Sequence, residues 1–215
     1  MDTNPAEAPH DCPLCPRLVA YREANARVHP DWFNGPVPSF GPTNARLLIV
    51  GLAPGVAGAN RTGRPFTGDF AGDLLYSTLR EFGFSKGIFK AHRDDGLELV
   101  DVMISNAVRC VPPQNKPTPL EEETCRPFLV NRINALPNLK VILALGRVAH
   151  DNVLSTFGAR KARFPFGHKS SHDLKEDLRL FDSYHCSRYN TNTGRLTTEM
   201  FHAVFEDIKT HLDAK

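Results

Sequence analysis

Residues 46–51 read RLLIVG, and this short apolar run decides how the rest of the chain is interpreted. Large aliphatic side chains follow one another without the polar alternation of a strand that has one face in water. Such a run is typical of a strand buried on both faces of a parallel sheet. The run stops at Gly51, where we expect the chain to leave the strand and enter a loop.

Three more apolar segments predict further strands, and amphipathic segments between them predict helices. The strands are expected within residues 97–108 (LELVDVMISNAV), 140–145 (KVILAL) and 178–184 (LRLFDSY). The helices are expected at residues 17–27, 69–82, 120–134, 147–157 and 197–212. Strands that alternate with helices imply an α/β fold of three layers, α/β/α, around a mostly parallel four-stranded sheet. We expect one domain over residues 1–215.

The composition excludes several classes of protein. No apolar run approaches the ~20 residues that span a bilayer, so a membrane is not an expected partner. The first eleven residues, MDTNPAEAPHD, lack the basic and apolar regions of a signal peptide. We therefore expect a cytoplasmic protein, acting as a monomer.

The charge pattern leaves two interpretations open. The net charge is only +2, but residues 32–68, 152–172 and 183–198 contain no acidic side chain and carry several arginines and lysines. These three segments either form one basic face for phosphates or are separate solvated loops. Charge alone does not decide between them.

Four of the five cysteines form a pattern. Cys12 and Cys15 make a CxxC pair, while Cys110 and Cys125 bracket fourteen residues. Disulfides are uncommon in the cytoplasm, so four thiolates in this arrangement indicate a tetrahedral zinc or an iron–sulfur cluster. The spacing alone does not separate these two, and four unrelated buried thiols are a further alternative. Cys186 has no partner left and is interpreted as structural.

Two loops at predicted strand ends carry unusual residues, and ligands of such folds bind where the strands end. Residues 51–69 read GLAPGVAGANRTGRPFTGD, in which five glycines let backbone amides approach a ligand closely. The loop is neither a P-loop nor a GxGxxG motif. Residues 185–197 read HCSRYNTNTGRLT, which can point the imidazole of His185 into a cleft. Between them, Asn106 ends another strand, and its amide can pair with a pyrimidine edge.

Together the motifs resemble a known family. GLAPG, GANRTGRPFTGD, NAVRC followed by NKP, and HCSRYNTNTGRLT are similar to family 5 of the uracil-DNA glycosylase superfamily, the UdgB type. The resemblance runs from Cys12 to about Leu196. It implies a base-excision repair enzyme that removes uracil, and also hypoxanthine and xanthine, from double- and single-stranded DNA. It also implies a [4Fe–4S] cluster on Cys12, Cys15, Cys110 and Cys125, which ties the N-terminal segment to a loop.

Two departures locate the chain within the superfamily. Family 4 has an acidic residue after the first glycine, as GEAPG, whereas Leu52 stands here. The family 5 resemblance moves the water-handling group to Asp69, with Asn106 assisting. His185 corresponds to the histidine of an HPS-type motif, in which Cys186 replaces the proline.

The resemblance and the loop chemistry together predict three sets of residues. The predicted catalytic residues are Asp69, Asn106 and His185. The predicted substrate-binding residues are Gly51, Leu52, Ala53, Arg64, Phe66 and Asn106, with Phe66 either stacked on the flipped base or packed in the core. The predicted DNA-binding residues are Arg61, Arg188, Tyr189, Asn190, Asn192 and Arg195. A non-catalytic DNA-damage binder and a hydrolase of free nucleosides are the alternatives.

Overall fold

The computed structural model describes residues 6–68 and 70–214. The helices are Pro16–Val28 (α1), Ala59–Thr62 (α2), Phe70–Glu81 (α3), Pro119–Asn134 (α4), Arg147–Thr156 (α5), Arg188–Asn192 (α6) and Thr198–Asp213 (α7). The strands are Leu47–Gly51 (β1), Ser85–Lys86 (β2), Glu98–Leu99 (β3), Val102–Asn106 (β4), Val141–Leu145 (β5), Ser171–Lys175 (β6) and Leu178–Ser183 (β7). Among these residues, no helix is both long and apolar enough to span a membrane.

The central sheet has five strands in the order β4-β1-β5-β7-β6. The first four are parallel, and β6 runs antiparallel to β7 at the edge. Every residue of β1, β4 and β5 is buried, as expected for strands covered on both faces. The carboxyl ends of the parallel strands therefore meet at one edge of the sheet.

Alternate side chains of each strand enter two separate cores. Ile49 and Leu143 pack with Phe205 and the other apolar residues of α3 and α7. Leu48 and Ile142 pack on the opposite face against α4 and α5. This alternation follows from the two-residue period of a strand, and it produces the predicted three layers.

The start of α4 is strongly specified by its sequence. The hydroxyl of Thr118 accepts from the Glu121 backbone N–H at 3.3 Å, and the Glu121 carboxylate accepts from the Thr118 N–H at 2.7 Å. This is a capping box, followed by a proline at the first helical position. Arg17 of α1 also donates twice to the Glu121 carboxylate, at 2.8 and 2.7 Å. These bonds connect α1 to the beginning of α4.

The structure corrects the predicted sheet in two places. The four-strand prediction missed β6, whose sequence SHDLK has no apolar run and whose residues alternate between exposed and half-buried. Residues 97–108 hold two strands rather than one, because β3 leaves the sheet to pair with β2 as a small antiparallel ribbon. In addition, the predicted loop 185–197 contains the short helix α6.

Candidate active site

A cavity of about 470 Å³ opens at the carboxyl edge of the sheet, a size that suits a small ligand. Loops that follow β1, β4 and β7 surround it. Its lining residues are Leu52, Ala53, Pro54, Gly55, Ala59, Phe66, Gly68, Phe70, Ala71, Asn106, Asn115, His185, Ser187 and Arg188. Five predicted site residues, from three separate segments of the chain, are thus brought together with the predicted DNA-binding residue Arg188.

Asn106 and Phe66 line the cavity and pack against Gly51, a predicted substrate-binding residue that does not itself line it. Gly51 of β1 pairs in register with Asn106 of β4. A Cβ atom at Gly51 would lie 2.5 Å from Oδ1 of Asn106 and 2.7 Å from Cζ of Phe66. The absence of a side chain at Gly51 therefore lets the amide of Asn106 and the Phe66 ring close over the strand end.

Phe66 occupies an unusual position. Its backbone has φ 54°, a left-handed conformation that is rare for an aromatic residue. Its side chain is only 7% exposed and belongs to the core, yet it also lines the cavity. Core packing, one of the two interpretations made from the sequence, is confirmed, while stacking of Phe66 on a flipped base stays a prediction.

His185 lies two residues after the end of β7 and faces the ring of Phe66. The two ring centroids are 5.9 Å apart, with an interplanar angle of 27°. Asn190 donates its side-chain N–H to the backbone carbonyl of His185 at 2.8 Å, which closes the loop around it. Burial lowers the pKa of His185 to about 4, because loss of water disfavours the charged ring. The imidazole is therefore neutral at pH 7.

Leu52 and Ala53 shape the cavity next to these residues. The backbone carbonyls of Gly51 and Leu52 accept from the N–H groups of Ala107 and Val108 at 2.9 and 3.0 Å. The GLAPG segment is thereby fixed to the chain that follows β4. It contributes backbone and shape to the site, with no ionisable side chain.

The structure places Arg64 away from the other predicted substrate-binding residues. Its guanidinium donates to both carboxylate oxygens of Asp95, at 2.8 and 2.7 Å, and both side chains are buried. It also lies over the rings of Phe40, Tyr76 and Phe89, and it does not line the cavity. Arg64 lowers the pKa of Asp95 far below its usual range by hydrogen bonding. Its role is structural because its donors are already occupied.

The predicted DNA-binding residues lie around the cavity mouth or on exposed surface. Arg188 lines the cavity, and its guanidinium lies 5.7 Å from the Phe70 ring centroid. Arg195 is exposed and lies 4.7 Å from the Tyr184 ring centroid. Tyr189 is 72% exposed. Asn192 and Arg61 are also exposed, and Asn190 is half-buried through its bond to the loop.

Sequence reasoning missed several residues of this region. Phe70, Ser187 and Asn115 line the cavity. Arg147 is exposed, and its guanidinium lies 5.2 Å from the Phe166 ring centroid. The available signal for Arg147 was its place directly after a predicted strand and glycine, where a residue reaches the carboxyl edge of the sheet.

Asp69, the predicted water-handling residue, lies outside the described residues. Its sequence neighbours Gly68 and Phe70 both line the cavity. The assignment of Asp69 stays a prediction.

The four patterned cysteines share one small apolar cavity with Leu18, Val108 and Phe128. The Arg109 backbone N–H donates to Sγ of Cys125 at 3.3 Å. Burial is the main cause that raises the pKa of Cys15 to about 11 and that of Cys110 to about 12. Within residues 6–68 and 70–214, no three His, Cys, Asp or Glu side chains form a group that could hold a metal ion. A metal site is therefore not shown.

The fifth cysteine is separate from this group. Cys186 is buried in the core beside α3, and its thiol donates to the carbonyl of Ala71 at 3.4 Å. It follows His185 in the sequence but does not line the cavity. This placement agrees with the structural role predicted for it.

The family of the chain follows from its sequence relatives. The model of the uracil DNA glycosylase superfamily matches residues 38–209, which include every loop that surrounds the cavity. The chain belongs to the uracil-DNA glycosylase superfamily.

Individual relatives narrow this assignment. The chain is 48% identical to a type-5 uracil-DNA glycosylase of Thermus thermophilus, over 92% of each chain. It is 41% identical to a type-5 enzyme of Pyrobaculum aerophilum, over 88% of this chain and 84% of that one. It is also 42% identical to a type-5 enzyme of Mycobacterium bovis, over 92% of this chain and 77% of that one. Within the superfamily, the chain is a member of the type-5 family, as the motifs predicted.

Proposed function

We propose that this protein hydrolyses the N-glycosidic bond of uracil in DNA and leaves an abasic site, and that it also removes hypoxanthine and xanthine. One observation carries the proposal: neutral His185, the amide of Asn106 and the ring of Phe66 line a single cavity at the carboxyl edge of the sheet. Membership of the glycosylase family supports the same reaction.

The state of His185 suits the departure of a base. Cleavage of an N-glycosidic bond gives the sugar oxocarbenium character, and the leaving base departs with negative charge. A neutral imidazole can donate an N–H to a carbonyl oxygen of that base. Because the pKa of His185 is lowered to about 4, the ring performs this task as the neutral imidazole, with one N–H and no positive charge at pH 7.

Asn106 and Phe66 are proposed to recognise the base itself. The Asn106 amide offers both a donor and an acceptor to the edge of a pyrimidine. The Phe66 ring lies at the cavity wall opposite His185 and offers a flat apolar surface for stacking. Because an amide can present either group, this pair is also compatible with the carbonyl edge of a deaminated purine.

Asp69 is proposed to orient or deprotonate the attacking water, with Asn106 assisting. A carboxylate would also favour the cationic sugar electrostatically. The support is the family motif PFTGD and the position of Gly68 and Phe70 in the cavity lining. Leu52 stands where family 4 has an acidic residue, and it has no carboxylate that could activate the water instead.

DNA is proposed to lie across the cavity mouth. Arg188, Arg195 and Arg147 each rest against an aromatic ring, which limits the motion of their guanidinium groups before they meet phosphates. The damaged nucleotide must leave the duplex, at a cost of a few kcal/mol. The exposed ring of Tyr189 is placed to occupy the gap.

A [4Fe–4S] cluster is proposed on Cys12, Cys15, Cys110 and Cys125. The fit rests on the chemistry of the donors, four thiols around one apolar cavity, which is the ligand set that such clusters take. When bound, the cluster supplies a covalent connection between chain segments, and hydrolysis requires no electrons from it. The same segments are already joined by an ion pair between Arg109 and Glu7, at 3.2 Å.

The deciding experiment is a glycosylase assay of the purified protein. Oligonucleotides that carry uracil, hypoxanthine or xanthine, in single and double strands, should yield abasic product, whereas free deoxyuridine should not be cleaved. Binding of these oligonucleotides without turnover would instead support a non-catalytic damage binder, which the absence of an acid from GLAPG favours. The single domain over residues 1–215, the monomeric state and the cytoplasmic location stay predictions from the sequence.

A further inference from the structure

A buried acid–base pair lies behind the surface that carries the exposed arginines, and the proposed chemistry does not use it. His150 of α5 and Asp182 of β7 are 1% and 0% exposed. Nδ1 of His150 lies 2.7 Å from Oδ1 of Asp182, and Nε2 lies 2.9 Å from the backbone carbonyl oxygen of Phe164. Both nitrogens of the ring therefore face an oxygen.

This geometry requires a proton between the two side chains. A carbonyl oxygen only accepts, so Nε2 of His150 carries a hydrogen. Another hydrogen must lie between Nδ1 and the carboxylate, because two lone pairs at 2.7 Å would repel each other. Burial by itself would lower the pKa of His150, but the hydrogen bond with Asp182 and the charge of its carboxylate raise it. Burial raises the pKa of Asp182, so both pKa shifts keep this proton on the pair.

The pair anchors the loop of residues 164–170 at both ends. At the start of the loop, Nε2 of His150 holds the first backbone carbonyl. At its end, the backbone of Asp182 donates to the carbonyl of Ser170 and accepts from the N–H of Lys169, each at 2.9 Å. The path of this loop therefore depends on two neighbouring buried residues.

The anchored loop supports two arginines through aromatic rings. The Phe166 ring centroid lies 5.5 Å from that of His150 and 5.2 Å from the guanidinium of Arg147. The rings of Phe166 and Tyr184 are 6.3 Å apart, and the guanidinium of Arg195 lies 4.7 Å from the Tyr184 ring centroid. A continuous series of contacts thus joins the buried pair to two exposed arginines.

These arginines belong to the surface around the cavity. A Cβ atom at Gly146, the residue before Arg147, would lie 3.6 Å from Cβ of His185. Arg147 and Arg195 are both exposed. The two guanidinium groups are therefore available to a DNA backbone whose damaged base occupies the cavity.

We propose that the buried His150–Asp182 pair positions the surface that binds DNA. The pair fixes the 164–170 loop, and with it the rings on which Arg147 and Arg195 rest, so that both arginines meet phosphates in a prepared orientation. A long side chain that is ordered before binding loses less conformational entropy when it binds. This inference rests on the proposed function, since it takes the arginine surface as the one that DNA contacts.

Two substitutions at Asp182 separate its hydrogen bond from its place in the core. In Asp182→Asn, the amide N–H₂ can donate to Nδ1 of His150, which leaves Nε2 free to keep its bond to the loop. In Asp182→Leu, Nδ1 loses its partner. Asp173→Leu is the matched control, because Asp173 is a carboxylate on the neighbouring strand β6 whose side chain is 72% exposed.

Binding and cleavage are measured separately. Fluorescence anisotropy on an undamaged oligonucleotide gives Kd, and single-turnover rates against enzyme concentration on a uracil oligonucleotide give the half-saturating concentration and the maximal rate. Asp182→Leu should raise Kd and the half-saturating concentration about tenfold, the ordering cost of two long side chains, and should keep the maximal rate. Asp182→Asn and Asp173→Leu should bind like the wild type. Equal losses in Asp182→Leu and Asp182→Asn, or a lower maximal rate at unchanged Kd, would overturn the proposal.

A double-mutant cycle tests the route to the arginines. Arg147→Gln should weaken binding in the wild type but much less in Asp182→Leu, because that variant has already lost the support of Arg147. If thermal melting shows that Asp182→Leu does not fold, the cycle is made in His150→Phe/Asp182→Leu, which leaves neither partner of the pair buried alone. Additive losses in the cycle would mean that the pair does not act through Arg147 and would reject the inference.

The same measurements separate this inference from the proposed function. A wild type that binds DNA but gives no abasic product contradicts the proposed glycosylase function, while the anisotropy cycle still decides the role of the pair. A wild type that releases uracil but shows additive losses contradicts the positioning role alone.

Discussion

The imidazole of His185 faces the ring of Phe66 at 5.9 Å between centroids, with 27° between the two planes. The two residues come from loops after β7 and β1, which are separated in the sheet by β5. Their rings form opposing parts of one cavity wall. The same burial that places His185 there also keeps it neutral, so position and protonation state have one cause.

The first prediction concerns the pH dependence of base release. Because burial lowers the pKa of His185 to about 4, its protonation should reduce the rate only as the pH falls toward that value. Single-turnover rates of the wild type should therefore show no inflection near 6.5, the ordinary histidine pKa. His185→Gln should slow the reaction by ~10²–10³, as for loss of one donor to a developing anion. An inflection near 6.5 that disappears in His185→Gln would show that the ring titrates normally.

The second prediction concerns Asp69. Asp69→Asn should reduce base release by ~10²–10⁴, the usual contribution of a positioned acid or base. Asp73→Asn, an exposed carboxylate on α3, is the control and should leave the rate unchanged. Near-normal single-turnover rates in Asp69→Asn would remove the residue from its proposed role.

The third prediction compares two glycines. At one of them an added side chain would collide with neighbouring atoms, and at the other it would only strain the backbone. Gly51→Ala should push Asn106 and Phe66 apart, since its Cβ would lie 2.5 and 2.7 Å from them. We expect a large loss of activity together with ~1–3 kcal/mol of stability, as for an overpacked core. Gly83→Ala has a positive φ but no atom within 4 Å of the new Cβ. It should therefore lower stability by ~1–2 kcal/mol, the cost of a left-handed conformation for a residue with a Cβ, and keep full activity, as measured by urea unfolding and turnover.

The fourth prediction concerns the cysteine cavity. Purified protein should be brown and contain iron and sulfide, and Cys12→Ser should lose both and melt at a lower temperature. Cys186→Ala should keep the colour, because its thiol lies in another core. The predicted role fails if Cys12→Ser melts like the wild type and is fully active. If the purified protein is colourless and contains zinc, the four cysteines hold a single zinc ion and not an iron–sulfur cluster.

The fifth prediction concerns the buried pair Arg64 and Asp95. Arg64→Met should destabilise the fold by ~3–5 kcal/mol, because it leaves the buried Asp95 carboxylate without its partner. The pKa of Asp95 is lowered in the folded state, so the stabilisation is present above its unfolded value near 3.9 and is lost as the pH falls below it. Urea unfolding at pH 7 and at pH 3 should show a smaller difference between the variant and the wild type at pH 3. An equal difference at pH 7 and at pH 3 would mean that protonation of Asp95 does not weaken its interaction with Arg64.

The sheet could be predicted where the sequence carries a local signal. Buried strands such as β1 and β5 are continuous apolar runs. In the structure, β1 is shifted by one residue at each end from the predicted 46–50, and β5 begins one residue later than predicted. The edge strand β6 could not be predicted because its residues are mostly polar and partly face water. Its position depends on pairing with β7 rather than on its own composition.

The site residues divide in the same way. His185 and Asn106 could be predicted because Asn106 ends β4 and His185 comes two residues after β7, both at the carboxyl edge of the sheet. Arg64 was misassigned because its partner, Asp95, lies in a segment without a recognisable pattern. Asn115 begins the NKP motif, but its place in the cavity could not be predicted because it depends on the three-dimensional path of the loop after Cys110.

The sequence by itself determined the class of fold, the family, and the residue types available for chemistry, because these depend on local periodicity and on long motifs along the chain. Only the tertiary structure decided which side chains meet. The contact between Gly51 and Asn106 requires the register of two parallel strands, and the lowered pKa of His185 requires the packing of other segments around its ring. Both are properties of packing between distant segments, which no local stretch of sequence encodes.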